Sequence, residues 1–81
     1  MSSVNPEALK ALVLAHIKDA EVEVRCYSGD DHFEMTVISS QFEGKPRIVR
    51  HKMVYAALGD NMRQAVHALA LKTKTPEEAA S

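Results

Sequence analysis

Hydrophobic and polar residues follow a helical period at the start of the chain and a strand period soon afterwards. Apolar residues recur at intervals of three and four from Leu9 to Ala20, which predicts an amphipathic helix over about residues 6 to 19. From Glu21 onwards apolar and polar residues alternate, which predicts one strand ending near Tyr27 and a second beginning at His32. The intervening Ser-Gly-Asp-Asp segment has turn chemistry, so the two strands form a hairpin with one apolar face.

The second half of the chain predicts another helix, a third strand and a short final helix. Residues 39–46 form a connection, residues 47–58 are rich in helix formers, and Gly59 is a suitable helix end. Residues 65–73 fit two structures, because their alanines favour a helix while His67, Leu69 and Leu71 alternate as in a strand. A third strand would support the hairpin, so a strand is favoured. At residues 75–78, a threonine followed three residues later by a glutamate predicts a capping box that opens the last helix.

Composition limits the chain to one small domain and excludes several classes of function. Its 81 residues, of which 46% are hydrophobic and 26% charged, suit a single domain over residues 1–81 with one core. A net charge of -1 excludes a protein that coats polyanions by bulk positive charge, and one cysteine excludes an internal disulfide. There is no membrane-length apolar run and no secretory signal pattern, so a reducing, cytoplasmic compartment is expected.

The candidate reactive side chains are one cysteine and four histidines. Cys26 shares the apolar face of the first strand, His32 stands at the mouth of the hairpin, and His67 lies at the rim where the third strand begins. His16 is a boundary residue of the first helix. His51 lies between Arg50 and Lys52, whose charges should lower its pKa. A core thiol and a half-buried imidazole are the plain structural interpretations of Cys26 and His67.

No enzyme motif or self-sufficient metal motif occurs in the sequence. It has no Cys-x-x-Cys, no His-x-x-x-His and no glycine-rich phosphate loop. We therefore expect no enzymatic activity, and a metal, if bound, would be shared with a partner.

Four basic residues cluster without an intervening acid at Lys45, Arg47, Arg50 and Lys52. They are a candidate nucleic-acid surface. On a helical wheel, however, they do not form one stripe, and the helix has two apolar arcs, one of them containing Val54. A helix packed on two sides, with basic side chains extending from the seams, explains the cluster equally well.

Four segments taken together resemble the BolA family. They are Phe-Glu-Gly-Lys at 42–45, Arg-His-Lys-Met-Val-Tyr at 50–55, His-Ala-Leu at 67–69 and Thr-Pro-Glu-Glu at 75–78. The resemblance extends over essentially the whole chain. It implies an α+β fold of order αββαβ(α), similar to the type II K-homology domain, with helices on one face of a three-stranded mixed sheet.

The same resemblance implies a function. BolA-like proteins pair with monothiol glutaredoxins, and the pair holds a [2Fe-2S] cluster whose other ligands are the glutaredoxin cysteine and glutathione. The family's histidine in His-Ala-Leu matches His67. The resemblance thus implies a non-enzymatic adaptor in iron–sulfur trafficking or in iron or redox regulation, monomeric or weakly dimeric when alone. The alternative is a DNA-binding transcriptional regulator that uses the second helix and its basic cluster.

The sequence departs from the family pattern at the second ligand. Relatives commonly have a cysteine in the hairpin loop where this chain has Asp30 and Asp31. His32 is the favoured substitute and Cys26 the reserve. Ala79 replaces a tryptophan found in many relatives, and the Gly-x-x-Gly loop of nucleic-acid-binding K-homology domains is absent.

Overall fold

The structure is a computed structural model that describes residues 6–27, 32–59 and 69–80. Its elements follow the predicted order and confirm an α+β fold. They are α1 (Pro6–His16), β1 (Glu21–Tyr27), β2 (His32–Ile38), a 3-10 helix (Ser40–Phe42), α2 (Arg47–Leu58), β3 (Leu69–Lys74) and α3 (Pro76–Ala80). The sequence also predicts a short turn of helix over residues 60–64, and these lie outside the described residues.

The three strands form one mixed sheet in the order β1-β2-β3. β1 and β2 are antiparallel, with Glu21 opposite Ile38, whereas β2 and β3 are parallel, with Ile38 opposite Lys74. The chain between β2 and β3 contains α2, since a parallel pair needs a long crossover connection. This crossover brings the end of β3 close to the beginning of α2.

One side of the sheet carries the core and the other is open. Met35 and Val37 at the centre of β2 are fully buried together with residues of both long helices, such as Val13 and Val54. Exposed positions of the opposite side include Glu21 and Lys72. This distribution confirms the prediction of helices on one face. The other members of the buried cluster are Leu9, Ile17, Ala20, Val22, Phe33, Phe42 and Leu58.

The first helix is shorter than predicted, ending at His16 rather than near residue 19. The prediction was wrong because a turn replaces the last helical residues, with the Ala20 amide donating to the Ile17 carbonyl at 3.0 Å. This turn presents the Asp19 carboxylate to the start of the 3-10 helix. There the Ser40 hydroxyl donates to it at 2.6 Å and the Ser39 hydroxyl at 2.7 Å.

Asp19 thereby ties the α1–β1 turn to the segment after β2. Hydrogen bonds from the hydroxyls of Ser40 and Ser39 favour the ionised form and lower the pKa of Asp19 to about 2. The alternation pattern could not reveal this link, because it depends on polar contacts between segments 20 residues apart in the chain.

Helices α2 and α3 have the predicted ends. Gly59 ends α2 at a φ of 78°, with its amide donating to the Tyr55 carbonyl at 3.0 Å. The capping box of α3 is present, since the Glu78 amide donates to Thr75 Oγ1 at 3.1 Å and the Thr75 amide to Glu78 Oε1 at 2.9 Å. Only one of the two predicted apolar arcs of α2 is buried. It is the predicted arc of Val54 and Leu58, and Ala57 is buried with it. In the other predicted arc, Val49 and Ala56 are exposed and Met53 is half-buried.

Candidate functional site

The described strand ends that carry or adjoin the predicted cluster ligands meet at one end of the sheet. Backbone pairing sets Tyr27 at the end of β1 opposite His32 at the beginning of β2. The next residue of β2, Phe33, is opposite Leu69, the first described residue of β3. The last residue of β1, the first of β2 and the start of β3 therefore lie side by side.

His67 itself lies outside the described residues, two positions before Leu69 in the sequence. The described part of β3 supports the pattern on which its prediction rests. Leu69 and Leu71 are half-buried, whereas Ala70 and Lys72 are exposed. The predicted alternation is thus confirmed from residue 69 onwards, and the role of His67 stays a prediction.

The two candidates for the second ligand lie at the same end of the β1–β2 hairpin. Cys26 pairs with Phe33, and His32 pairs with Tyr27. The side chains of both candidates, like Asp30 and Asp31, fall outside the described part of the structure, so the second ligand stays open.

These residue types suit an iron–sulfur cluster, because thiolate sulfur and neutral imidazole nitrogen are the protein ligands such clusters use. The register brings the strand positions of both donor types to one end of the sheet. Within residues 6–27, 32–59 and 69–80, no group of three or more His, Cys, Asp or Glu could hold a metal ion. Likewise, none of the described helices is long and apolar enough to span a membrane.

The basic cluster of the sequence divides into exposed and paired residues. Lys45, Arg47 and Lys52 are exposed. The side chain of Arg50 is only 13% exposed, because its guanidinium binds the Glu78 carboxylate through two hydrogen bonds of 2.8 and 3.3 Å. Arg50 is therefore held within the molecule.

Two further contacts fix Arg50. Its Nε donates to the Lys45 carbonyl at 2.7 Å, and its guanidinium carbon lies 5.9 Å from the centre of the Phe42 ring. Hydrogen bonding to Arg50, and then to the Thr75 amide, lowers the pKa of Glu78. Arg50 thus connects the turn before α2 to the last helix.

Sequence analysis missed two members of the basic surface. The parallel crossover places Lys72 and Lys74 of β3 beside Lys45 and Arg47, around a cavity of about 660 Å³. The signal was the alternation of residues 69–74, which puts Lys72 and Lys74 two positions apart. It becomes informative only once β3 is placed next to the start of α2.

His51 also lines this cavity, and its surroundings correct one prediction. Its pKa is lowered as expected, but the first cause is partial burial and the second is the charge of Arg47. Arg50 and Lys52 were the expected sources. The His51 ring meets Tyr55 edge to face, with 6.2 Å between ring centres.

Comparison with known proteins agrees with this fold. The family described as "BolA-like protein" matches residues 5–78. The chain belongs to the BolA family. It is 40% identical to Protein BOLA2 of Arabidopsis thaliana over 78 residues, which cover 93% of this chain and 83% of that protein.

Two more BolA proteins illustrate the range of the likeness. The structure of a BolA protein homologue from Coxiella burnetii superimposes with a TM-score of 0.73 at 33% identity, covering 96% of this chain and 99% of that one. The DNA-binding transcriptional regulator BolA of Vibrio cholerae is 33% identical over 73 residues, covering 90% of this chain. The chain spans 64% of that regulator, and it spans less than two thirds of several other curated relatives.

The BolA family match contains all the predicted ligand positions. Cys26, His32 and His67 fall within the matched residues, as do Lys45 and Arg47. The family assignment therefore covers both surfaces described above: the sheet end where the three strands meet, and the basic cavity between α2 and β3.

Proposed function

We propose that this BolA-family chain is a non-enzymatic adaptor that binds a monothiol glutaredoxin and co-ligates a [2Fe-2S] cluster through His67. The second ligand would come from the β1–β2 end, with His32 favoured and Cys26 in reserve. The glutaredoxin cysteine and glutathione would hold the rest of the cluster. The proposed role is iron–sulfur trafficking, or iron or redox regulation.

The observation that carries this proposal is the pairing of Phe33 with Leu69 at the end of the sheet. It sets the beginning of β3, which follows His67 in the chain, beside the β1–β2 hairpin that carries the other candidates. In this proposal, ligands from two separate segments meet at one rim and share a cofactor that arrives with another protein. A cluster shared in this way needs only one or two ligands from this chain.

The chemistry of imidazole explains why an adaptor would use histidine. A neutral nitrogen ligand in place of a thiolate makes the cluster less negative by one charge and raises its reduction potential. It also binds iron less strongly than a thiolate in a site of this type, which favours transfer. In this account the chain holds the imidazole at the rim, where the nitrogen can bind the iron and release it readily.

Reconstitution of the mixed complex tests the proposal. A monothiol glutaredoxin, iron, sulfide and glutathione are incubated anaerobically with and without this protein, and visible absorption and circular dichroism spectra are recorded. We expect the bands of the glutaredoxin homodimer to be replaced by a different spectrum, complete at one equivalent of this protein. Spectra that remain those of the homodimer at every ratio would refute the proposal.

A DNA-binding role is a second candidate, favoured by the exposed cations around the cavity and by the regulator from Vibrio cholerae among the relatives. One observation argues against DNA binding, because the Arg50 guanidinium already binds the Glu78 carboxylate and is not available to a phosphate. Competition by a DNA duplex for the basic cavity tests this role.

A further inference from the structure

The outer edge of β3 directs backbone groups away from the sheet. Among the described strands, β3 has a neighbour on one side only. The Ser39 amide donates to the Lys74 carbonyl at 3.0 Å, so Lys74 directs its backbone towards the segment that continues β2. In a parallel ladder the backbone groups of successive residues point alternately towards and away from the neighbour. Leu71 and Thr73 therefore direct their N–H and C=O groups outwards.

This edge borders the basic cavity. Residues 71–74 all line it, facing the start of α2 on the opposite wall. Lys45, Arg47 and Lys74 contribute positive charge there. Lys72 adds a fourth cation, which also contacts Glu34 on the open side of the sheet at 3.3 Å. Within the described residues, the edge thus combines outward-facing backbone groups with a concentration of positive charge.

A carboxylate already occupies one end of this groove. Glu78 lines the cavity, accepts from Arg50 and also accepts from the Thr75 amide, the next outward-facing position after Thr73. The chain itself therefore shows how the edge pairs with an acidic group: a backbone amide and a nearby cation share one carboxylate. The outward groups of Leu71 and Thr73 continue that arrangement along the edge.

We propose that the outer edge of β3 binds an extended acidic segment of a partner protein by strand addition. The segment's backbone pairs with Leu71 and Thr73, and its carboxylates face Lys45, Arg47 and Lys74. Lysines on a free edge oppose pairing with neutral or basic strands, and the same charges select an acidic one. This surface is independent of the cluster site proposed at His67.

A peptide fits the edge better than a nucleic acid. The outward carbonyls of Leu71 and Thr73 are hydrogen-bond acceptors, and a peptide backbone supplies the N–H donors that they need. A phosphate backbone has acceptors only and would set its charges against those carbonyl oxygens. Charge attracts both ligands, but the pattern of backbone groups matches only the peptide.

The test uses a fluorescently labelled short peptide of alternating glutamate and valine, with blocked ends, and follows its polarisation and the amide hydrogen exchange of the protein. At saturation we expect exchange to slow at the amides of Leu71 and Thr73 and to remain unchanged at Lys72 and Lys74. A peptide of alternating glutamate and proline is the control, because it keeps the charge but loses half of its backbone N–H donors and favours the polyproline II conformation over strand pairing.

Charge reversal provides the second arm. The Arg47→Glu, Lys74→Glu double variant should bind the glutamate–valine peptide about tenfold more weakly. The matched Lys10→Glu, Lys18→Glu variant, which changes net charge equally on and just after α1, should bind as the wild type does. The proposal is overturned if the peptide fails to bind, if the glutamate–proline peptide binds equally well, or if a DNA duplex of equal charge displaces the peptide and slows the same amides.

Discussion

The His67→Ala variant is expected to lose the spectrum of the mixed cluster and to return the mixture to that of the glutaredoxin homodimer. Removing the imidazole leaves one iron without its nitrogen ligand from this chain, and alanine offers no replacement. Glutathione and the glutaredoxin homodimer then bind the cluster without competition from this chain. The readout is the same anaerobic titration, with far-ultraviolet circular dichroism showing that the variant remains folded.

His16→Ala is the matched control for this experiment. His16 is exposed on α1, and its Nδ1 lies 3.2 Å from the Leu12 carbonyl oxygen of its own helix. Its loss removes an imidazole without touching the sheet end, so the mixed spectrum should persist. Equal loss of the spectrum in both variants, or its retention in His67→Ala, would contradict the assignment of His67.

The Phe42→Ala variant is expected to lose about 3 to 5 kcal/mol of unfolding free energy. The Phe42 side chain is completely buried in the core cluster, and the Arg50 guanidinium carbon lies 5.9 Å from the centre of its ring. A domain of 81 residues has only about 4 to 12 kcal/mol of stability in total. The loss is about a quarter or more of that total, so the urea midpoint followed by circular dichroism should fall well below that of the wild type.

Ile48→Ala is the control for Phe42→Ala. Ile48 is also a large apolar residue of this region, but it is 64% exposed on α2. Its truncation should change stability by about 0.5 kcal/mol or less. Similar unfolding midpoints for the two variants would show that Phe42 does not anchor the core as its burial indicates.

Most of the fold could be predicted because short-range patterns determine it. The alternation from Glu21 gave both hairpin strands, and Gly59 and the Thr75 capping box gave helix ends that the structure confirms. The first helix was predicted too long because apolar spacing continues to Ala20. Only the hydrogen bonds of Asp19 to the distant Ser39–Ser40 segment show why the helix stops at His16.

The functional surfaces were less predictable, because they depend on contacts between distant segments. The local basic cluster suggested that Arg50 was free to bind phosphate, but its partner Glu78 is 28 residues away in the chain. Lys72 and Lys74 join Lys45 only through the parallel crossover. His67 became a candidate through family resemblance, since alternation alone fitted a half-buried structural histidine equally well.

The most direct test of the proposed function is nitrogen hyperfine spectroscopy of the reduced mixed cluster. This protein is prepared with histidine labelled by nitrogen-15 in the ring and combined with unlabelled glutaredoxin and glutathione, then studied by pulsed electron paramagnetic resonance. Coordination by His67 predicts a strongly coupled nitrogen whose coupling changes by the isotope ratio on labelling and disappears in His67→Ala. A spectrum without strong nitrogen coupling, or one indifferent to the label, would contradict the adaptor account.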